Sequence, residues 1–137
     1  MTDQTIEQEI QTKGANVAPR ITPADVESNI TSEFYFTAAD GVEGASGHRP
    51  NSVRAGAALS LLTFCVLVLR NGFTVTGESA CASSENFNAE IGRKIARENA
   101  VAKVWPLMGY ELRSHLHAMK GPRTGGDVVV DSAVAGG

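Results

Sequence analysis

Two runs rich in strand-forming residues, 61–70 and 73–77, flank the pair Asn71-Gly72. Asn-Gly between such runs is the preferred centre of a two-residue hairpin turn, because both positions need positive φ. A two-residue loop sets the register, placing Arg70 opposite Phe73, Val68 opposite Val75 and Leu67 opposite Thr76. One face of the ribbon then carries Phe64, Val66, Val68, Phe73 and Val75, and the other Thr63, Cys65, Leu67, Leu69, Thr74, Thr76 and Glu78. The first strand is apolar on both sides, as strands inside a sheet are. A lone hairpin is marginal in water, so further strands must come from the segment before it or from another subunit.

The rest of the chain predicts helices and polar connections. Residues 1–20 lack periodicity and read as a flexible tail. Thr22 is a good N-cap before Pro23, Asp25 favours the helix dipole, and Ile21 and Val26 can staple the cap. Val26, Ile30 and Phe34 recur every four residues and predict a helix over 23–36. Residues 38–56 are dominated by glycine and small polar residues and read as a long loop. A second helix is predicted over 86–105, stopped by Pro106, with Phe87, Ile91, Ile95, Ala102 and Trp105 on its core face. A short helix follows over 110–119, and 121–137 reads as a second flexible tail. The expected fold class is α+β: an antiparallel sheet around the hairpin, packed with two or three helices in a single domain over 21–120.

Several functions are disfavoured by composition. A formal charge of −3 on 137 residues gives no bulk attraction to DNA or anionic lipid. The longest apolar run, 55–69, is interrupted by Ser60 and Thr63 and is too short to cross a bilayer. The polar, acidic start argues against secretion, leaving the cytoplasm as the default. Cys65 and Cys81 supply no metal set, and the hairpin register sends them to opposite faces. His115 and His117 are two apart and diverge on a helix, His48 stands alone, and no glycine-rich phosphate motif is present. No nucleophile–base pair is readable, so an enzyme is the least supported class, and neither a metal nor a cofactor is expected.

One ridge stands out. Arg93 and Arg97 are four apart on the second predicted helix, where like charges repel unless an anion lies between them. Glu90 can supply that charge, which is the plain solvated-face reading. The functional reading has both guanidinium groups converge on a phosphate beside the helix start, with Phe87 nearby to stack on a base. Phe87 as an ordinary core aromatic is the alternative.

The block "NGFTVTGESACASSENFNAEIGRKIARENAVAKVWPLMGYELRSHL", together with "FTAADGV", resembles a family of small tailed-phage and prophage accessory proteins over residues 21–116. The order "NGF", "ESAC", "NF" with "EIG", and W-x-L-x-GY-x-L carries the resemblance. The same block is similar to phage proteins that defeat the Thoeris immune system by sequestering its signal. That resemblance implies a non-catalytic sponge for glycocyclic ADP-ribose, assembled from dimers into larger rings such as a hexamer, with an antiparallel sheet and helices. Related sponges also take up the cyclic oligonucleotides of CBASS defence at separate sites. On chemistry, Arg93, Arg97 and Arg113 would bind phosphates, Phe87 would stack, and Asn86, Asn88 or Asn99 would read polar edges. The competing expectation is a protein that inhibits or scaffolds a host or phage partner by direct contact.

Overall fold

The structure, a computed structural model, describes residues 3–14, 18–50 and 52–120. Thr22 caps the helix α2 (Pro23–Asn29) by a reciprocal box: its hydroxyl accepts from the Asp25 N–H, and the Asp25 carboxylate accepts from the Thr22 N–H at 2.9 Å. The chain then enters a strand, β1 (Ile30–Thr37), where the sequence predicted continued helix. Ile30, Thr31, Phe34, Tyr35 and Phe36 are the residue types that pack well on a pleated surface. Pairing with a neighbouring strand decides the conflict with the four-residue periodicity.

Thr37 repeats the device of Thr22. Its hydroxyl and the Asp40 carboxylate form a second capping box, and α3 (Ala38–Ser46) comes next, ended by Gly47 at φ 83°. Ser52 then caps α4 (Val53–Leu59). The predicted loop over 38–56 is therefore largely helical. Its glycines lower helix propensity, but T-x-x-D and serine caps set where the helices start.

The hairpin pairs β2 (Leu62–Leu69) with β3 (Thr74–Ala80), and β1 adds antiparallel to the other edge of β2, giving the order β1-β2-β3. Its register differs by one residue from the predicted one: Val68 faces Thr74, Leu67 faces Val75 and Val66 faces Thr76. The turn holds three residues rather than two. Gly72 takes φ 90° and donates to the Leu69 carbonyl at 2.8 Å, and the Leu69 N–H donates to the Phe73 carbonyl at 2.8 Å. This is a turn closed by a left-handed glycine, the usual three-residue alternative. The slip moves Val75 to the buried face and turns Thr74, Thr76 and Glu78 outward. The predicted register would have buried the Glu78 carboxylate, an expensive outcome without a partner.

A single helix, α5 (Ala89–Met119), covers β3 and β2. It absorbs both predicted helices and runs through Pro106, which lacks the N–H that the Ala102 carbonyl would receive. Val101 and Val104 before the proline and Met108 after it are held in the core, and that packing outweighs the lost bond. The predicted core face is only in part the observed one: Trp105 packs against the core, but Ile91 and Ile95 are 55% and 42% exposed. Instead Gly92, Ala96, Ala100, Val101 and Val104 face inward.

Small residues there let the backbones meet. A Cβ on Gly77 would overlap the Ala96 carbonyl and the Ala100 N–H, and come within 2.9 Å of the Ala100 Cα. Around this contact lie Val26, Cys65, Leu67, Leu69 and Val75. Both cysteines are free thiols. Cys65 faces Gly77, four residues short of Cys81, so distance along the strand separates them rather than opposite faces.

Residues 1–20, predicted as a flexible tail, include a helix, α1 (Asp3–Thr12), and a two-bond ion pair between Arg20 and Glu7. The predicted tail over 121–137 lies outside the described residues. No described helix is long and apolar enough to cross a membrane.

We expect Gly77→Ala to lower stability by about 3 kcal/mol, the upper range for overpacking, because the obstruction is helix backbone that cannot swing aside. Thermal unfolding followed by circular dichroism measures this; an unchanged midpoint contradicts the close approach.

Candidate functional site

Arg97 and Arg93 lie one turn apart on α5 and have different fates. The Arg97 guanidinium takes the Glu27 carboxylate of α2 through two bonds, at 2.8 and 3.0 Å. Its Nε also donates to Glu33 of β1 at 3.1 Å. The Tyr35 hydroxyl donates to the same Glu33 oxygen at 2.6 Å. Tyr35 first and then Arg97 hold the Glu33 carboxyl below the usual carboxylate range, and the two glutamates raise Arg97 further. Arg97 thus joins three elements and has its charge already answered. The predicted convergence of two arginines on one phosphate is not what the side chains do.

Arg93 makes no hydrogen bond or ion pair among the described residues. Glu90, the carboxylate expected between the arginines, instead lies 3.8 Å from Lys94. Arg93 borders a cavity of about 120 Å³ walled by Tyr35, Phe36, Thr37, Asp40, Thr63, Phe87 and Ala89. Each wall has a local cause. The capping box at Thr37 turns the chain so that Asp40 returns to the end of β1, and it fixes the Asp40 carboxylate at 3.0 Å from the Thr37 N–H. That bond, first among its causes, lowers the Asp40 pKa. Phe36 stacks on Phe64 with centroids 5.5 Å apart. Gly92 leaves the room that Thr63 and Phe87 occupy, since a Cβ there would sit 3.2 Å from the Thr63 hydroxyl.

The other predicted residues separate. Asn88 is the N-cap of α5, accepting from the Ile91 N–H at 3.0 Å, and Asn99 donates to the Glu78 carbonyl at 2.7 Å. Both amides are engaged in holding the fold. Asn86 ends the 3-10 turn Ser84–Asn86 and is exposed. Arg113 is exposed and about 30 Å along the helix from Arg93, from the rise per residue. Tyr35, Phe36 and Asp40 escape a reading of the sequence because their segment has the pattern of a helix end and a loop.

A larger groove of about 630 Å³ opens where α5 passes the hairpin tip, between Leu69, Asn71, Phe73, Met108 and Tyr110. Its arginine, Arg70, donates to the Ser28 carbonyl and hydroxyl, and Glu111 faces the same space. Phosphate chemistry therefore favours the smaller cavity. Among the described residues no three His, Cys, Asp or Glu side chains group to hold a metal.

Opposite α5 the sheet is uncovered over much of its area. Ser32, Phe34 and Phe36 of β1, Phe64, Val66 and Val68 of β2, and Thr74, Thr76 and Glu78 of β3 share this face by alternation. Phe34 is 58% exposed and Phe36 37%.

These features define a small α+β protein with an open-faced sheet and a cation–aromatic cavity at one end of it. The chain belongs to the phage protein (N4 Gp49/phage Sf6 gene 66) family, whose sequence profile matches residues 21–116. No curated protein and no solved structure gives a significant match.

We expect Arg97→Met to lose about 1–2 kcal/mol at pH 7, because it strands two partly exposed carboxylates. Glu33, with its pKa depressed in the fold, contributes stability above the ordinary glutamate value of about 4.3, and loses it as pH falls toward the folded value. The gap between the natural chain and the variant should therefore shrink by pH 3. Urea unfolding at both pH values checks this; a gap that stays constant contradicts it.

Proposed function

We propose that this phage protein binds and sequesters a nucleotide immune messenger, glycocyclic ADP-ribose or a cyclic oligonucleotide, in the host cytoplasm without cleaving it. The observation that carries the reading is the Arg93 guanidinium, unpaired among the described residues, beside a cavity walled by Phe87, Tyr35 and Phe36. A guanidinium recognises phosphate by paired bonds, and an aromatic wall accepts a base face. Asp40, fixed beside them, is an acceptor for ribose hydroxyls.

Size shapes the proposal. Sites for small molecules usually span roughly 300–1,000 Å³, so a cavity of about 120 Å³ holds one phosphate or one ring edge. A messenger with two phosphates needs a second wall. The open sheet face supports a second copy as that wall, because Phe36 belongs to both the cavity and the face. Arg113, remote from Arg93 on its own chain, reaches the same ligand only from another copy. Arg97 is left out of the binding set, and Asn88 and Asn99 act through the fold.

A second reading, inhibition or scaffolding of a host or phage protein by direct contact, is favoured by the same exposed Phe34 and its apolar neighbours. The two readings part on oligomeric state and ligand. A sponge self-associates through this face, so Phe34→Asp yields monomers with weakened messenger binding. A scaffold is a monomer that co-purifies with one stoichiometric partner.

Depleting a scarce signal requires nanomolar affinity, about −12 kcal/mol. We expect calorimetry with glycocyclic ADP-ribose and cyclic trinucleotides to give binding of that order for at least one of them. Arg93→Ala should weaken it by about 1.5–3 kcal/mol, as for a lost charge-assisted bond. Phe87→Ala should weaken it by about 1–3 kcal/mol, as for a lost stack. No heat with any of these at micromolar protein overturns the proposal.

A further inference from the structure

The helix α1 sits on the body of the protein without entering it. None of its residues is buried. The polar contacts that hold it include the Glu7–Arg20 ion pair and a bond at 3.1 Å from the Trp105 indole N–H to the Asp3 carboxylate. Arg20 pulls the Glu7 carboxyl down to about 2. Ile6 and Ile10, four apart and on one side of α1, point toward Ile21, Pro23 and Trp105. They do not fill the space: about 270 Å³ remains between α1 and this surface, and a further cavity of about 400 Å³ continues along α5 past Val101 and Ala102.

Three observations bear on what this surface is for. The occupant is a ten-residue helix, a length that is marginal alone in water. The fit is loose, so larger apolar side chains at the two isoleucine positions would bury more surface. The polar rim is complementary to an acidic helix: Arg20 takes a carboxylate between the apolar positions, and the indole N–H takes another one turn earlier. The family match covers Ile21, Pro23 and Trp105 but begins after α1.

We propose that the groove walled by Ile21, Pro23 and Trp105 is a docking site for an acidic amphipathic helix of a partner protein, and that α1 is a strap that occupies it until that helix displaces it. The partner helix carries large apolar residues four apart, a carboxylate directly after the first of them, and another three residues before it. This site is independent of the cavity at Arg93 and stands or falls without the nucleotide reading.

The test uses the full-length chain and Trp105, the single tryptophan of the sequence. Ile6→Asp loosens the strap. The probes are synthetic peptides of residues 1–14, one with the natural sequence and one with Ile10→Phe, alongside a scrambled peptide and a Glu7→Lys peptide. We expect the Ile10→Phe peptide to bind the loosened chain and shift Trp105 emission to the blue. Its affinity should exceed that of the natural peptide roughly tenfold, the factor that a few newly buried carbon atoms supply. It should also bind the loosened chain more tightly than the unmodified chain, and the Glu7→Lys peptide should lose binding. Equal binding of the scrambled peptide, or none by any peptide at millimolar concentration, overturns the proposal. Loss of far-ultraviolet helix signal beyond the ten residues of α1 in Ile6→Asp overturns it too, because α1 would then be an integral part of the fold. A concentration-dependent dimer of the loosened chain that excludes the peptide puts a second copy in the partner's place, and likewise overturns it.

Discussion

Contact between the backbone of β3 at Gly77 and that of α5 at Ala96 and Ala100 fixes how the sheet and its covering helix meet. Only glycine permits it, for reasons of space rather than of φ. Once Gly77 must face the helix, Val75 faces it too, and the parity of the whole strand is fixed. On the helix side, Gly92, Ala96, Ala100 and Val104 recur every fourth residue and form the seam. Arg93 and Arg97 each stand one position after a seam residue, so both lean the same way. Arg97 falls between Glu27 and Glu33, whereas Arg93, one turn nearer the helix start, passes those carboxylates and reaches the aromatic end of β1. One close approach in the core thus decides which cation is spent on structure and which is displayed.

The same seam accounts for the open face. A single helix lies on one side of a three-stranded sheet, and β2 is apolar on both sides. Burial of Cys65, Leu67 and Leu69 uses one side. On the other side Phe64 stacks on Phe36, and α3 packs against β1 and β2, with Gly41 close to the Phe36 ring. Uncovered apolar rows of this kind mark surfaces that meet another molecule. That exposure supports a messenger held between two copies, where each copy's small cavity supplies part of a larger wall.

The legible parts of the fold are those governed by local chemistry. The cap at Thr22 and the hairpin around Asn71-Gly72 can be read from a few residues each. The same T-x-x-D pattern at Thr37 and Asp40 is masked by the glycines after it, although a capping box depends on its two ends and not on what lies beyond. Ile30 to Phe36 has helical spacing and strand-forming residues at once, and only the presence of β2 alongside settles the matter. The hairpin register turns on whether Arg70 belongs to the strand or to the loop, a difference controlled by what lies under Val75 and Gly77. Pro106 is a stop signal overridden by packing on either side. At the site, Arg93 and Phe87 do share a cavity. Arg97 does not join them, since Glu27 and Glu33 are 70 and 64 residues away in the chain and nothing local announces them.

Sequestration, as proposed, requires that the protein hold a messenger intact. It is tested most directly by purifying the protein from cells in which a TIR-domain immune enzyme is active, denaturing it with heat, and identifying the released small molecules by mass spectrometry. A sponge gives up an unhydrolysed cyclic ADP-ribose isomer or cyclic oligonucleotide in a fixed ratio to protein, and the Arg93→Ala chain gives up far less. Release of nothing, or of linear cleavage products alone, contradicts sequestration.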